Sequence, residues 1–340
     1  MSGTDLGTPR FGLHPLHGIH QPTQGTPRRL PGSVRRTSSI DMTRNPGSLD
    51  PVYLSGRARD LRTGSDGTTT EVGRARLEAT IEMIPRVVQH LEVEPTVANM
   101  HLVGAPAMSG FRAAVDKAAP DLRLRRDLRY TLLDDVPVAT LISGHALSAS
   151  GVLGVVAKSG YLPIADQCAG FVTGGLLMSS FEAGDPAVVT GPPAPVLEDP
   201  ADPLAWHAIA PLPVHGMRRR RRLDVQQGSD SSEVLISAMF RDSYVRSDGI
   251  ETIIHEYTLE ASVDPDTGVI LSSEAVPRVL PWQECPGAVA SATRITGMRL
   301  DELHFRIRQE LAGTSTCTHL NDLLRSVADT AALIPLLSTD

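Results

Sequence analysis

Apolar and polar positions alternate with a period of two through several stretches in the last third of the chain. Val234, Ile236, Ala238 and Phe240 alternate with less apolar neighbours, which predicts a strand over 234–241 with Asp242 on the same face at its end. Tyr257, Leu259, Ala261 and Val263 form the apolar face of a second strand. His255 shares their parity, so its ring projects on the core side. Asp264-Pro265-Asp266-Thr267-Gly268 reads as a turn and 269–275 as the returning strand. The period then changes. Cys285-Pro286 opens a short helix with proline at its first position, and 301–311 is a longer amphipathic helix. Leu320, Leu323, Leu324, Val327, Ala328 and Ala331 carry the 3/4 spacing of a buried stripe, which predicts a helix over 320–333. Thr318 is its expected N-cap, which leaves Cys317 just outside the first turn beside free N–H groups.

The pattern occurs twice. Leu54-Ser55-Gly56-Arg57-Ala58-Arg59-Asp60 matches Ile236-Ser237-Ala238-Met239-Phe240-Arg241-Asp242, and 242 − 60 = 182. Leu77-Glu78-Ala79-Thr80 matches Leu259-Glu260-Ala261-Ser262 at the same offset, as Pro95 matches Pro277. The expected fold class is α+β, an internally duplicated unit of strand meander followed by helices, packed as a pseudo-dimer around a Gly/Pro-rich middle insert. The boundaries expected are a flexible arm over 1–32, a first repeat over 33–150, an insert and linker over 151–216, and a second repeat over 217–340. Gly73 stands where the second repeat has His255, and Arg129 and Thr131 stand where it has Cys317 and His319. Any Cys/His site is therefore assigned to the second repeat, the first being degenerate.

Composition narrows the classes. A chain of 340 residues with 41% hydrophobic content is able to bury a large core. It has no run apolar enough for a membrane span or a secretory leader, so the cytoplasm is the expected compartment. Three cysteines, Cys168, Cys285 and Cys317, are too few and too odd for a disulfide framework, and reduced thiols are expected. The net charge of −7 opposes general nucleic-acid binding. The run Arg218 to Arg222 has no interleaved aromatics, and it reads as a solvated strand entry or a salt-bridge strip between the repeats. A small-molecule or protein partner stays open.

The candidate chemistry lies in the second repeat. A thiol at a helix N-terminus is favoured as thiolate, the form that ligates metals or attacks carbonyls. His255, Cys285 and Cys317, with His319 or Asp242 as a fourth ligand, make a tetrahedral set for zinc or iron. The expected function is a cytoplasmic metal- or iron–sulfur-binding protein. The alternative is a cysteine enzyme acting on an acyl or thioester substrate. Cys317 is then the nucleophile, His255 or His319 the base and Asp242 its orienter. A non-catalytic interaction module is the third reading. Cys168 reads as a structural buried thiol ahead of a third site thiol.

The C-terminal repeat resembles the SufE/NifU/IscU-like scaffold proteins of iron–sulfur cluster assembly over residues 252–334. The residues that carry the resemblance are Val263-Asp264, Gly268-Val269-Ile270, Cys285 with the small residues after it, Gly297 before Leu300-Asp301-Glu302, and Cys317. The resemblance implies an iron–sulfur cluster as cofactor. This chain departs from it in offering His255 at the first ligand position and the order Cys317-Thr318-His319 at the last. The whole chain also resembles an uncharacterised bacterial family ending in a Cys-Thr-His-Leu motif, here residues 317–320.

Overall fold

The structure, a computed structural model, describes residues 18–152, 163–184, 188–229 and 232–337. Residues 1–17 of the expected arm and 153–162 of the insert's Gly-rich opening lie outside them. Eight strands form one antiparallel sheet: β1 (Ser33–Thr43), β2 (Val52–Thr63), β3 (Thr69–Glu82), β4 (Val87–Glu94), β5 (Met217–Gln227), β6 (Val234–Val245), β7 (Glu251–Val263) and β8 (Ile270–Val279). Their order is β4-β3-β2-β1-β5-β6-β7-β8. A four-strand meander thus lies on each side of a β1–β5 seam. Asp60 lies opposite Arg36 and Gly73, and Asp242 lies opposite Arg219 and His255. A bulge follows each aspartate, at Asp60/Leu61 and at Asp242/Ser243.

Helices cover one face. After β4 come α1 (Phe111–Ala118), α2 (Pro120–Leu124), α3 (Leu128–Ile142) and α4 (Gly144–Ala149). The insert adds α5 (Leu176–Glu182). After β8 come a run of 3-10 turns at Cys285–Ile295, then α6 (Leu303–Glu310), α7 (Thr318–Ser326) and α8 (Thr330–Leu333). The helix α3 packs on β1, β2 and β3, while α7 packs on β6 and β7. The apolar alternation read from the sequence supplies the sheet side of two cores, one around Leu54, Leu77 and Leu132 and one around Ile236, Tyr257 and Leu320. None of the helices among the described residues is long and apolar enough to cross a membrane.

The opposite face is covered by extended chain. Residues 192–194 join β7 beyond the end of β8, through bonds from Ile253 N to Pro192 O and from Ala194 N to Glu251 O. The strap then crosses the sheet and buries Leu197, Ala205 and Trp206 against Met239. Residues 19–21 pair with the end of β8, and Trp206 Nε1 donates to Thr26 Oγ1 at 2.8 Å. Residues 18–32 are therefore fixed to the sheet rather than forming a free arm. The Pro-rich segment is a packed strap rather than a linker, because its extended backbone finds partners along β7 and the arginines of the sheet.

The arginine run is buried, not solvated. Strand alternation sends Arg219 and Arg221 to the helical face and Arg218, Arg220 and Arg222 to the strap. On the strap side, Arg218 bonds Asp41 and Ala210 O, and Arg220 bonds Glu198. On the helical side the charges cross the seam. Arg219 and Arg221 of β5 meet Asp135 of α3, while Arg36 of β1 meets Asp329 between α7 and α8.

Candidate functional site

Asp242 ends the apolar face of β6 and has no exposed side-chain surface. Arg219 Nη1 donates to its two carboxylate oxygens at 3.0 and 3.1 Å. That arginine also reaches Asp135 at 3.2 Å and Asp322 at 3.5 Å, and its guanidinium lies 4.6 Å over the Phe240 ring. His255 stands directly across from Asp242, as the last pair of the regular register before the bulge. His255 Nδ1 lies 3.6 Å from Asp242 Oδ2. His319, on the first turn of α7, brings Nε2 to 3.9 Å from the same oxygen. The two imidazoles stack, with centroids 3.7 Å apart and planes 18° from parallel. Neither His255 Nδ1 nor His319 Nε2 has a hydrogen-bond partner among the described residues, although both atoms are buried. One ligand atom from each of Asp242, His255 and His319 lies within 4.8 Å of the others.

The surroundings hold His319 neutral. Burial, then His255, Arg219 and Arg221, push its pKa well below the ordinary imidazole value. Burial and the neighbouring His255 push His145 of α4 down to about 4. The imidazole side chains retain 14% and 11% of their exposure, so the cluster is reached from solvent past the rings, with the carboxylate at the back. In the other half, the equivalent bulge faces Gly73, and a Cβ there would stand 3.2 Å from Leu128 Cδ1 of α3. An apolar helix side chain closes the space that an imidazole occupies in the second half.

The thiols form a different group. Cys317, not Thr318, occupies the N-cap position of α7, and Asn321 N donates to its carbonyl at 2.8 Å. The insert's turn packs on this corner. Ala169 N donates to Thr316 O at 2.9 Å, and a Cβ at Gly170 would meet Cys285 Sγ at 2.9 Å. Cys317 lies beside the buried Tyr257 hydroxyl, with Cys285 and Cys168 near enough to act on it, and that hydroxyl has no hydrogen-bond partner of good geometry among the described residues. No thiol belongs to the group formed by Asp242, His255 and His319. The five residues singled out from sequence are thus divided: Asp242, His255 and His319 converge, and Cys285 and Cys317 converge with Cys168.

Two opposing forces act on Cys317. The N–H groups of Leu320 and His319 favour a thiolate, as the helix-terminus argument requires. Burial is the larger force, and it pushes the thiol up to about 12. Burial also holds Cys285 well above the ordinary thiol value. At neutral pH the thiolate fraction of Cys317 is then on the order of 10⁻⁵. Native protein treated with iodoacetamide at pH 7 should keep Cys317 unmodified by mass spectrometry, whereas guanidinium-denatured protein should be alkylated. Rapid native labelling of Cys317 would show a thiolate that this geometry does not provide.

Fold and cluster together define an α+β protein whose eight-stranded antiparallel sheet carries a buried carboxylate–imidazole cluster on one side of its seam. Residues 217–333 match a family described as "Protein of unknown function (DUF2889)". The match takes in β5 to α8, and with them Asp242, His255, Cys285, Cys317 and His319. No curated protein matches the chain. A solved structure titled "Crystal structure of lipopolysaccharide binding protein" aligns with 8% identity over 88% of this chain and 92% of that chain. Its TM-score of 0.12 carries no argument.

Proposed function

We propose that this chain is a cytoplasmic protein that binds one divalent transition-metal ion, zinc or ferrous iron, through Asp242, His255 and His319. The observation that carries this reading is the convergence of two buried, partnerless imidazole nitrogens on one carboxylate oxygen, at 3.6 and 3.9 Å. Buried ring nitrogens without partners are costly, and a metal ion satisfies both. Bonds of about 2.0–2.2 Å to nitrogen and oxygen need only small closure of these separations. A neutral imidazole is the ligating form, and burial keeps His319 in it. Two histidines and one carboxylate leave coordination positions open for water or substrate, the pattern of non-haem iron and catalytic zinc sites. Arg219, chelating the carboxylate from behind, fixes its orientation.

A mononuclear ion fits better than an iron–sulfur cluster. Clusters are held chiefly by thiolates, and the three cysteines stand outside this ligand group. The internal duplication, supported by the 182-residue offset and the equivalent bulges, adds a second argument. In the first half Leu128 crowds the position at which the second half carries an imidazole.

Cobalt(II) titration of EDTA-dialysed protein tests the reading. The wild type should take up one equivalent, with visible d–d bands and no sulfur-to-cobalt charge-transfer band. His255→Ala and His319→Ala should each weaken binding at least tenfold, and Cys285→Ser should leave it unchanged. Saturating metal at about 100 times Kd should stabilise the wild type by about 2.7 kcal/mol. No uptake, or uptake lost in Cys285→Ser and kept in the histidine variants, would refute the assignment.

A further inference from the structure

The outer face of β2 and β3 carries four arginines in a block that the carboxylate–imidazole cluster does not use. Arg57 lies directly opposite Arg76, and Arg59 directly opposite Arg74. Like charges facing each other across a sheet destabilise it unless something between them is negative. The sequence alternates small residues on the other face, Gly56, Ala58 and Ala75, so all four guanidiniums stand on the strap side. Strap residues 202–209 wall the block into a cleft of about 460 Å³, to which Pro203, Leu204, Trp206 and Ile209 add apolar surface.

Three carboxylates line the cleft beside its four arginines, and Glu71 and Asp202 act on Arg59 at longer range. Glu71 at its edge is held by Arg74, Asp202 by Arg29, and Glu198 by Arg220. Arg57, Arg59 and Arg76 have no carboxylate at ion-pair distance among the described residues. Arg57 donates to Ala208 O at 3.2 Å and Arg59 to Leu204 O at 2.6 Å. Arg59 is only 7% exposed, and its Nε has no hydrogen-bond partner among the described residues. The second half of the sheet is different at the matching register. Arg241, next to the bulge as Arg59 is, faces Glu256, and Met239 faces Thr258. Arg241 is there paired by Glu256 and capped by Pro195 O and Thr23 O. One half neutralises its outer face; the other presents a guanidinium cluster beside an apolar wall.

We infer that this cleft is a binding site for a phosphate-bearing small molecule, its phosphate held between Arg57, Arg59 and Arg76 and its ring or apolar portion on Leu204 and Ile209. Guanidinium forks match phosphate oxygens in bidentate geometry, and the unused Arg59 Nε supplies a donor at the base. The site is on the opposite face of the sheet from Asp242, so it stands or falls independently of the metal reading.

Trp206 lines the cleft and reports on it, and Trp282→Phe removes the other tryptophan. In that background, phenyl phosphate should change Trp206 emission saturably, inorganic phosphate more weakly, and potassium chloride at matched ionic strength not at all. Arg57→Gln with Arg76→Gln removes two exposed arginines and should weaken phenyl phosphate binding at least tenfold. Arg306→Gln, an exposed arginine on α6, should leave it unchanged. Benzoate binding as tightly as phenyl phosphate would overturn the phosphate assignment. Equal responses to potassium chloride, or an unchanged affinity in the double variant, would overturn the site.

Discussion

Replacing Arg219 by methionine should destabilise the protein by about 3–5 kcal/mol, the cost of removing one partner from a buried ion pair. Its side chain has no exposed surface, and it holds Asp242 at 3.0 Å, Asp135 at 3.2 Å and Asp322 at 3.5 Å. Methionine approximates the aliphatic stem but leaves Asp242 buried without its cation. Asp135 and Asp322 keep Arg221 and Arg325, so the loss falls chiefly on Asp242. Adding Asp242→Leu should therefore recover part of the loss, because the stranded charge is gone. Arg306→Met breaks the exposed pair with Glu310 and should cost under about 1 kcal/mol. Urea unfolding with linear extrapolation measures all three. A cost for Arg219→Met no larger than that for Arg306→Met would mean that the seam is not held by its charges.

The elements that alternation defines were legible. The expected strands over 234–241 and 269–275 are the bodies of β6 and β8, and the parity that places Asp242 and His255 on one face holds in the structure. What parity cannot supply is register, and the approach of His255 to Asp242 depends on the pairing of β6 with β7 that sets them opposite each other. The third member of the cluster, His319, comes from α7, through packing between distant segments. The predicted helix over 320–333 is broken into α7, 3-10 turns at Val327–Asp329, and α8. Apolar spacing runs through that break, but the Asp329 carboxylate is tied to Arg36 at 3.1 Å and to Thr131 at 3.0 Å, contacts that spacing does not record. The thiols show a balance of magnitudes. Helix position was readable and favours thiolate, but burial outweighs it, and the turn at 168–171 that completes the burial belongs to the insert.

The arginine run illustrates the same limit. Five consecutive cations leave a solvated strand entry and a salt-bridge strip between the repeats both open until the strand is known to lie between two covered faces. Alternation then sends them to different acids and carbonyls. The strap and residues 18–32 cover one of those faces, and low sequence periodicity gave no sign of it because extended chain buried by its neighbours needs none.

Acid should weaken the fold before the seam carboxylates Asp134 and Asp322 titrate. His207 lies under the strap, with Nε2 2.8 Å from Ser39 Oγ and Nδ1 2.9 Å from Thr37 Oγ1. Burial, then Arg59, Arg220, Arg57 and Arg218, push its pKa down to about 3. His304 of α6 packs edge-on against Tyr130 at 5.2 Å, and burial again pushes it well below the ordinary value. Both folded pKa values lie below the unfolded one, near 6.5. Above pH 6.5 both states are neutral and stability is complete. As pH falls below 6.5 the unfolded chain binds protons that the folded protein refuses, so stability falls by up to about 1.4 kcal/mol per pH unit for each histidine, or about 2.7 for the two. His207 itself protonates in the folded state only near pH 3, which ends its contribution to the slope. Asp134 and Asp322 act later. Burial opposes their ionisation, but Arg112 and Arg325 outweigh it and hold both below the ordinary carboxylate value, so their stabilisation is lost only below about pH 4. Urea unfolding of EDTA-dialysed protein at pH 7.5, 6.0, 5.0 and 4.5 should show a midpoint that is steady down to about pH 6.5 and then declines. His207→Gln, which keeps polar atoms near Ser39 and Thr37 but has no titrating ring, should reduce the slope, while His304, His319 and His145, also held down by burial, supply the rest of it. A midpoint unchanged between pH 7.5 and 4.5, or a His207→Gln slope equal to that of the wild type, would show that these buried rings do not set the acid limit of the fold.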